Sequence, residues 1–130
     1  MNYNELTRRY FESAANAGEL TGPGVFRGAA GNHAQGTWVQ FDLQITAGTV
    51  SAAKFLAFGC PHTIAVAAWL TEQAVGGRVV PQLPENVQAL RQRFAVPVEK
   101  MGRLLIIEDA WLAAVIPAID YRESTHMVGR

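Results

Sequence analysis

Apolar and polar positions alternate most cleanly in the middle of the chain, where Val39, Phe41, Leu43 and Ile45 interleave with Gln40, Asp42, Gln44 and Thr46. A period of two sends successive side chains to opposite faces, so this segment predicts a strand with one face in the core and the other wet. Thr46, Ala47, Gly48 and Thr49 form a tight connection, and the apolar-rich Val50–Phe58 predicts a returning strand, hence a hairpin in an antiparallel sheet. Upstream, beyond Gly18, Gly22, Pro23 and Gly24, Val25–Ala30 predicts a short strand whose glycines weaken it.

Helical periods occupy the rest. Asn2 and Glu5 have capping-box spacing, and Tyr3, Leu6 and Tyr10 share a face, which predicts a first helix running to about Ser13. Gly59, Cys60 and Pro61 mark a change of regime, because proline suits the first turn of a helix and no breaker follows until Gly76. Cys60 is therefore expected at the N-cap of a helix over Pro61–Val75, apolar on nearly every side through Ile64, Val66, Trp69, Leu70 and Val75, and so buried on the sheet. Gly76 and Gly77 end it, Arg78–Leu83 link, and Pro84 is expected to open an amphipathic helix with Val87, Leu90 and Phe94 inward. The last helix is expected over Gly102–Ile116, stopped or kinked by Pro117, with a polar tail ending in His126 to Arg130. The sum is an α+β fold: one domain over residues 1–130, with an ordered core to 116 and a tail over 117–130.

Composition narrows the function. Hydrophobic residues make up 49% and charged residues 17%, as a packed globule requires. Eleven Lys and Arg balance eleven Asp and Glu, so the chain carries no net field to draw in nucleic acid or anionic lipid. The longest apolar run, Ala110–Ala118, is broken by Pro117 and falls short of the roughly 18 residues a membrane helix needs. Residues 1–9 lack the apolar stretch of a signal peptide, and the one cysteine cannot form an internal disulfide, so a cytoplasmic location is expected. Glu108 and Asp109 are adjacent on a helix and diverge, and no Gly-rich phosphate loop or Ser-His-Asp order is present, so ordinary hydrolytic chemistry is not indicated and no enzyme is expected.

Three segments then carry a resemblance: Tyr3-Asn4-Glu5-Leu6, the run Ala52-Ala53-Lys54-Phe55-Leu56-Ala57-Phe58-Gly59-Cys60, and Glu108-Asp109-Ala110. Over about Tyr3 to Val115 the chain resembles the IscU family, the N-terminal scaffold domain of NifU, with Lys-Phe-x-x-Phe-Gly-Cys at a strand-to-helix junction as the specific part. The resemblance implies a three-stranded antiparallel sheet with helices packed on one face, and a role as a scaffold for iron–sulfur cluster assembly. Such a family binds a 2Fe-2S cluster or zinc, using three cysteines aided by an aspartate and usually a histidine.

At those positions this chain departs. The family's Ala-Cys-Gly-Asp matches Ala34-Gln35-Gly36-Thr37, so cysteine has become Gln35 and aspartate Thr37. Cys60 matches the second cysteine. The family's Lys-Leu-His-Cys matches Lys100-Met101-Gly102-Arg103, which replaces histidine by Gly102 and the third cysteine by Arg103. A permanently protonated guanidinium disfavours a metal ion, and one thiolate cannot hold a cluster, so no stably bound cofactor is expected. The family's chaperone-read Leu-Pro-Pro-Val-Lys is here Val96-Pro97-Val98-Glu99-Lys100.

The single residues admit more than one reading. Cys60 is either a packing residue or, activated by the helix dipole and an adjacent Arg103, a sulfur acceptor. His33, Cys60 and His62 are donors of the right type for zinc, yet Cys60-x-His62 sends two side chains apart at a helix start, and histidines bonded to solvent or backbone are the plainer alternative. Gln35 and Thr37 are equally ordinary loop residues. Trp111, Leu112 and Ile116 imply apolar cover on the last helix, from the core or from a second copy. The expectation is thus an accessory or regulatory scaffold-like protein meeting a cysteine desulfurase or other assembly proteins. A sulfur carrier through Cys60 and a homodimeric interaction module stand as alternatives.

Overall fold

The computed structural model describes residues 3–128. Its elements are α1 (Glu5–Ser13), β1 (Val25–Asn32), β2 (Thr37–Thr46), β3 (Thr49–Phe58), α2 (Pro61–Ala74), α3 (Val87–Arg93) and α4 (Met101–Val128), with a 3₁₀ turn at Val98–Lys100 just before α4. The three strands form one antiparallel sheet in the order β1-β2-β3, the α+β arrangement expected. Ala47 and Gly48 both take positive φ, 53° and 78°, which is the two-residue turn whose twist matches that of its strands.

Val39, Phe41 and Leu43 are fully buried under α4 and α2, and the Phe41 ring meets Trp111 of α4 edge-on at 4.9 Å. The opposite face of β2 is not wet. Asp42 is 1% exposed and Gln40 8%, because residues 19–24 cross that face on their way to β1. The Leu20 amide donates to Asp42 Oδ2 at 2.8 Å, and Arg27 on β1 grips the same carboxylate through Nε at 2.7 Å and a second nitrogen at 2.9 Å. Burial works against the charge, but these donors outweigh it and hold the Asp42 carboxyl below its usual range. The outer edge of β3 is bridged by Ala17 opposite Phe55 and by residues 76–79 around Val50.

Three helix ends differ from the expectations. Asn4, not Asn2, caps α1: its Oδ1 accepts from the Thr7 amide at 2.9 Å, while Asn2 lies outside the described residues. Asn4 also donates to the Arg93 carbonyl and buried Thr7 to that of Phe94, which ties α1 to the end of α3. α3 starts at Val87, because the Asn86 side chain caps it by accepting from Ala89; Pro84 precedes the helix without opening it. α4 does not stop at Ile116. It runs through Pro117 to Val128, with Ala118 fully buried and Ile119 packed on the core, since burial of the following turn outweighs one missing N–H; residues 129 and 130 lie outside the described part. Within α4, Trp111 is core, Leu112 half-buried and Ile116 46% exposed.

Candidate functional site

The β1–β2 turn, the end of β3 and the starts of α2 and α4 meet at one end of the sheet, because Trp38 pairs with Phe58 and Asn32 with Thr37 in the strand register. Residues 33–36 close the β1–β2 turn, with the Gln35 amide donating to Asn32 Oδ1 at 2.8 Å and Gly36 at φ +82°. Gly31 brings α4 close: a Cβ there would sit 2.2 Å from the Thr37 carbonyl oxygen and 3.0 Å from Ile106. The result is an open depression of about 310 Å³ lined by Gln35, Thr37, Glu99, Lys100, Gly102, Arg103 and Ile106.

The four positions at which the family resemblance implies ligands, Gln35, Thr37, Gly102 and Arg103, therefore share one wall although up to 68 residues separate them in sequence. Gln35 is exposed and Thr37 only 3% so. Gly102 faces open space, since an added Cβ meets nothing within 4 Å. Arg103 Nε is buried and finds no hydrogen-bond partner among the described residues.

Cys60 is not on that wall. It caps α2 as expected, half-buried, with Sγ 3.6 Å from Thr63 Oγ1. Burial disfavours its thiolate, but the backbone and hydroxyl of Thr63, the His62 amide and the charge of Lys100 together outweigh that and bring the thiol below its ordinary value. The cation acting on Cys60 is thus Lys100, not Arg103 as the sequence suggested. Arg103 instead acts on His62, whose ring is 3% exposed and packs edge-on against Tyr3 at 4.7 Å. Burial first, then Lys100 and Arg103, push His62 down to about 4, so it is neutral near pH 7, and its buried Nδ1 has no hydrogen-bond partner among the described residues.

His33 is held elsewhere, stacked on Trp38 at 5.8 Å and edge-on to Phe58 at 4.5 Å. Among the described residues no three His, Cys, Asp or Glu side chains gather where one metal ion would be held, so His33, Cys60 and His62 are not brought together as ligands. The wall of the depression supplies an amide, a hydroxyl, a guanidinium, an ammonium and one carboxylate. A set so poor in thiolate does not fit an iron–sulfur cluster. Sequence reasoning missed Lys100, Thr63 and Tyr3 as parts of this region. Lys100 stood in the stretch compared with the family motif, but its reach toward Cys60 follows only from packing.

The chain matches the model of the NifU-like N terminal domain over residues 2–126. It is 26% identical over 116 residues to iron sulfur cluster assembly protein 1 of Trachipleistophora hominis, covering 88% of this chain and 84% of that protein. To the iron-sulfur cluster assembly protein IscU of Plasmodium falciparum it is 25% identical over 124 residues, covering 94% and 75%. Two crystal structures share its fold. One, from Fervidobacterium islandicum AW-1, is assigned provisionally as a cluster assembly scaffold protein for the SUF system; it aligns with a TM-score of 0.69 at 16% identity, over 87% of this chain and 96% of that one. The other is the N-terminal part of a nitrogen-fixing NifU-like protein of Brucella abortus, with a TM-score of 0.67 at 18% identity, over 91% and 94%.

Proposed function

The chain belongs to the family of NifU-like N-terminal domains, and from that premise we propose that it serves iron–sulfur cluster assembly as an accessory or regulatory scaffold-like protein. In this reading it is a binding protein, not an enzyme, and meets a cysteine desulfurase or another assembly protein in the cytoplasm without holding a cluster by itself. The observation that carries it is the composition of the depression. Gln35, Thr37, Gly102 and Arg103 stand together where the family resemblance implies ligands, and a guanidinium that cannot lose its proton occupies the place of a thiolate. The curated relatives, named for cluster assembly, support the pathway. Among the described residues no helix is long and apolar enough to cross a membrane.

Anaerobic reconstitution with ferrous iron, cysteine and a cysteine desulfurase tests the reading through the absorption spectrum and the iron content. The expected outcome is no stable two-iron chromophore. A stoichiometric chromophore on this chain overturns the accessory role.

A second reading, sulfur carriage through Cys60, is favoured by the lowered thiol pKa and partial exposure. In that step the Cys60 thiolate attacks the outer sulfur of a desulfurase persulfide, an S–S bond forms on Cys60, and the enzyme's cysteine leaves as thiolate. Mass spectrometry of the chain after incubation with desulfurase and cysteine should then show one added sulfur at Cys60. A homodimer would draw on the α4 face where Leu105 and Ile116 are 48% and 46% exposed, and light scattering of the chain and of Leu112→Asp tests it.

A further inference from the structure

We propose that the outward face of α4 over residues 105–116 docks an amphipathic helix of a partner protein, one that presents an apolar seam flanked by lysine or arginine.

α4 buries one side on the sheet through Leu104, Ile107, Trp111 and Val115, yet its opposite side is not polar as a surface helix requires. Leu105 and Ile116 are 48% and 46% exposed, and Leu112 is half-buried. At roughly 100° per residue these three fall within about 40° of one another, a stripe about 16 Å long at a rise of about 1.5 Å per residue. Their spacing, Leu105 to Leu112 to Ile116, is that of the seam by which one helix packs along another, and a convex helix surface is met through its ridges and grooves.

The charges say which kind of helix. Glu108 and Asp109 lie on the two flanks of the stripe, and Asp120 follows one turn beyond Ile116. None of these three carboxylates enters an ion pair or hydrogen bond with a described residue. The cations at the start of α4 are directed elsewhere: Lys100 lies over the Tyr3 ring and acts on Cys60, while Arg103 acts on His62 of α2. The outward face therefore offers acids alone beside its apolar residues, and a partner that covers Leu105, Leu112 and Ile116 gains most when its own flanks are basic.

A second copy of the chain is a poor match. In a two-fold pairing of this face with itself, Glu108 and Asp109, close to the middle of the stripe, would stand against the same two residues of the other copy, and like charges brought together oppose association. None of Leu105, Leu112 and Ile116 lines the depression around Arg103, so this surface is distinct from it, and the inference stands whether or not the chain acts in cluster assembly.

The test titrates the full chain with two synthetic helical peptides that share a leucine seam at heptad spacing, one flanked by lysine and the other by glutamate, at fixed ionic strength, following backbone amides by NMR. Saturable shifts along residues 105–116 are expected with the lysine peptide, and binding of the glutamate peptide should be weaker by roughly tenfold or more. Leu105→Ser should weaken the lysine peptide by roughly tenfold. Glu108→Lys combined with Asp109→Lys should invert the preference between the peptides, a result that loss of fold cannot produce, and circular dichroism checks that each variant keeps its fold. Binding of neither peptide, equal binding of both, shifts that map away from residues 105–116, or an unchanged preference in the folded charge variant overturns the proposal. A dimer in light scattering that Leu105→Ser dissolves also overturns it, since a second copy then occupies the face. Neither iron nor desulfurase enters this experiment, so its result is separate from that of reconstitution.

Discussion

Gly28 on β1 lies directly against the backbone of Ala114 on α4: a Cβ at Gly28 would come 2.3 Å from the Ala114 amide nitrogen and 2.5 Å from the Ala110 carbonyl oxygen. Helix and strand touch there main chain to main chain, and that contact sets how far the start of α4 reaches over the β1–β2 turn. Gly28→Ala must therefore lift α4 off the sheet. We expect a loss of at least about 3 kcal/mol, at the upper end for overpacking because backbone, not a flexible side chain, must yield. Urea unfolding of the variant checks this, and a change below about 1 kcal/mol would contradict the close approach.

His62 should make stability depend on pH in mildly acid solution. Its folded value of about 4 lies below the ordinary 6.5, so the unfolded chain binds the proton more readily. The stabilisation is complete above pH 6.5 and is lost as pH falls from there toward 4. A shift of that size corresponds to roughly 3 kcal/mol at most. In a His62→Gln variant the slope of stability between pH 6.5 and 4 should flatten, measured by denaturant midpoints at each pH.

The Cys60 thiolate should form below the ordinary thiol range. Iodoacetamide labelling against pH is expected to show a midpoint under that of a free cysteine peptide measured alongside. Thr63→Val and Lys100→Met should each move it upward, since one removes a hydroxyl and the other a positive charge that stabilise the thiolate. A midpoint at or above that of the peptide removes the sulfur-carrier reading.

Restoring the ligand set should restore metal binding. In Gln35→Cys, Thr37→Asp, Gly102→His and Arg103→Cys combined, three thiols, an imidazole and a carboxylate would share the region, and position 102 has open space for its ring. Anaerobic reconstitution of this variant is expected to yield a two-iron absorption spectrum absent from the natural chain. A variant that folds yet gains no iron would show that more than these four positions separates the chain from a cluster-holding scaffold.

Local signals were enough for the β2–β3 hairpin, its tight connection at Ala47-Gly48 and Cys60 at the head of α2, because strand alternation, a glycine in a short connection and Gly-Cys-Pro punctuation are all short-range. It was not enough for Asp42. Alternation marks that residue as wet, and only the passage of residues 19–24 over the sheet buries it against Arg27. Pro117 misled for a similar reason: the lost N–H is a local cost, whereas the burial of Ala118 and Ile119 that outweighs it is tertiary.

From its residues alone the chain declared its central hairpin and Cys60 at the head of a helix, since short-range periodicity and punctuation suffice for these, whereas the departures at Gln35, Thr37, Gly102 and Arg103 are what the family resemblance implies. Only tertiary structure decided that the four share one depression, that Lys100 acts on Cys60, and that Arg103 Nε is buried without a hydrogen-bond partner among the described residues. Electrostatic coupling falls with distance through space, and the distance between Cys60 and residues forty positions later is set by how α2 and α4 pack on the sheet, not by sequence spacing.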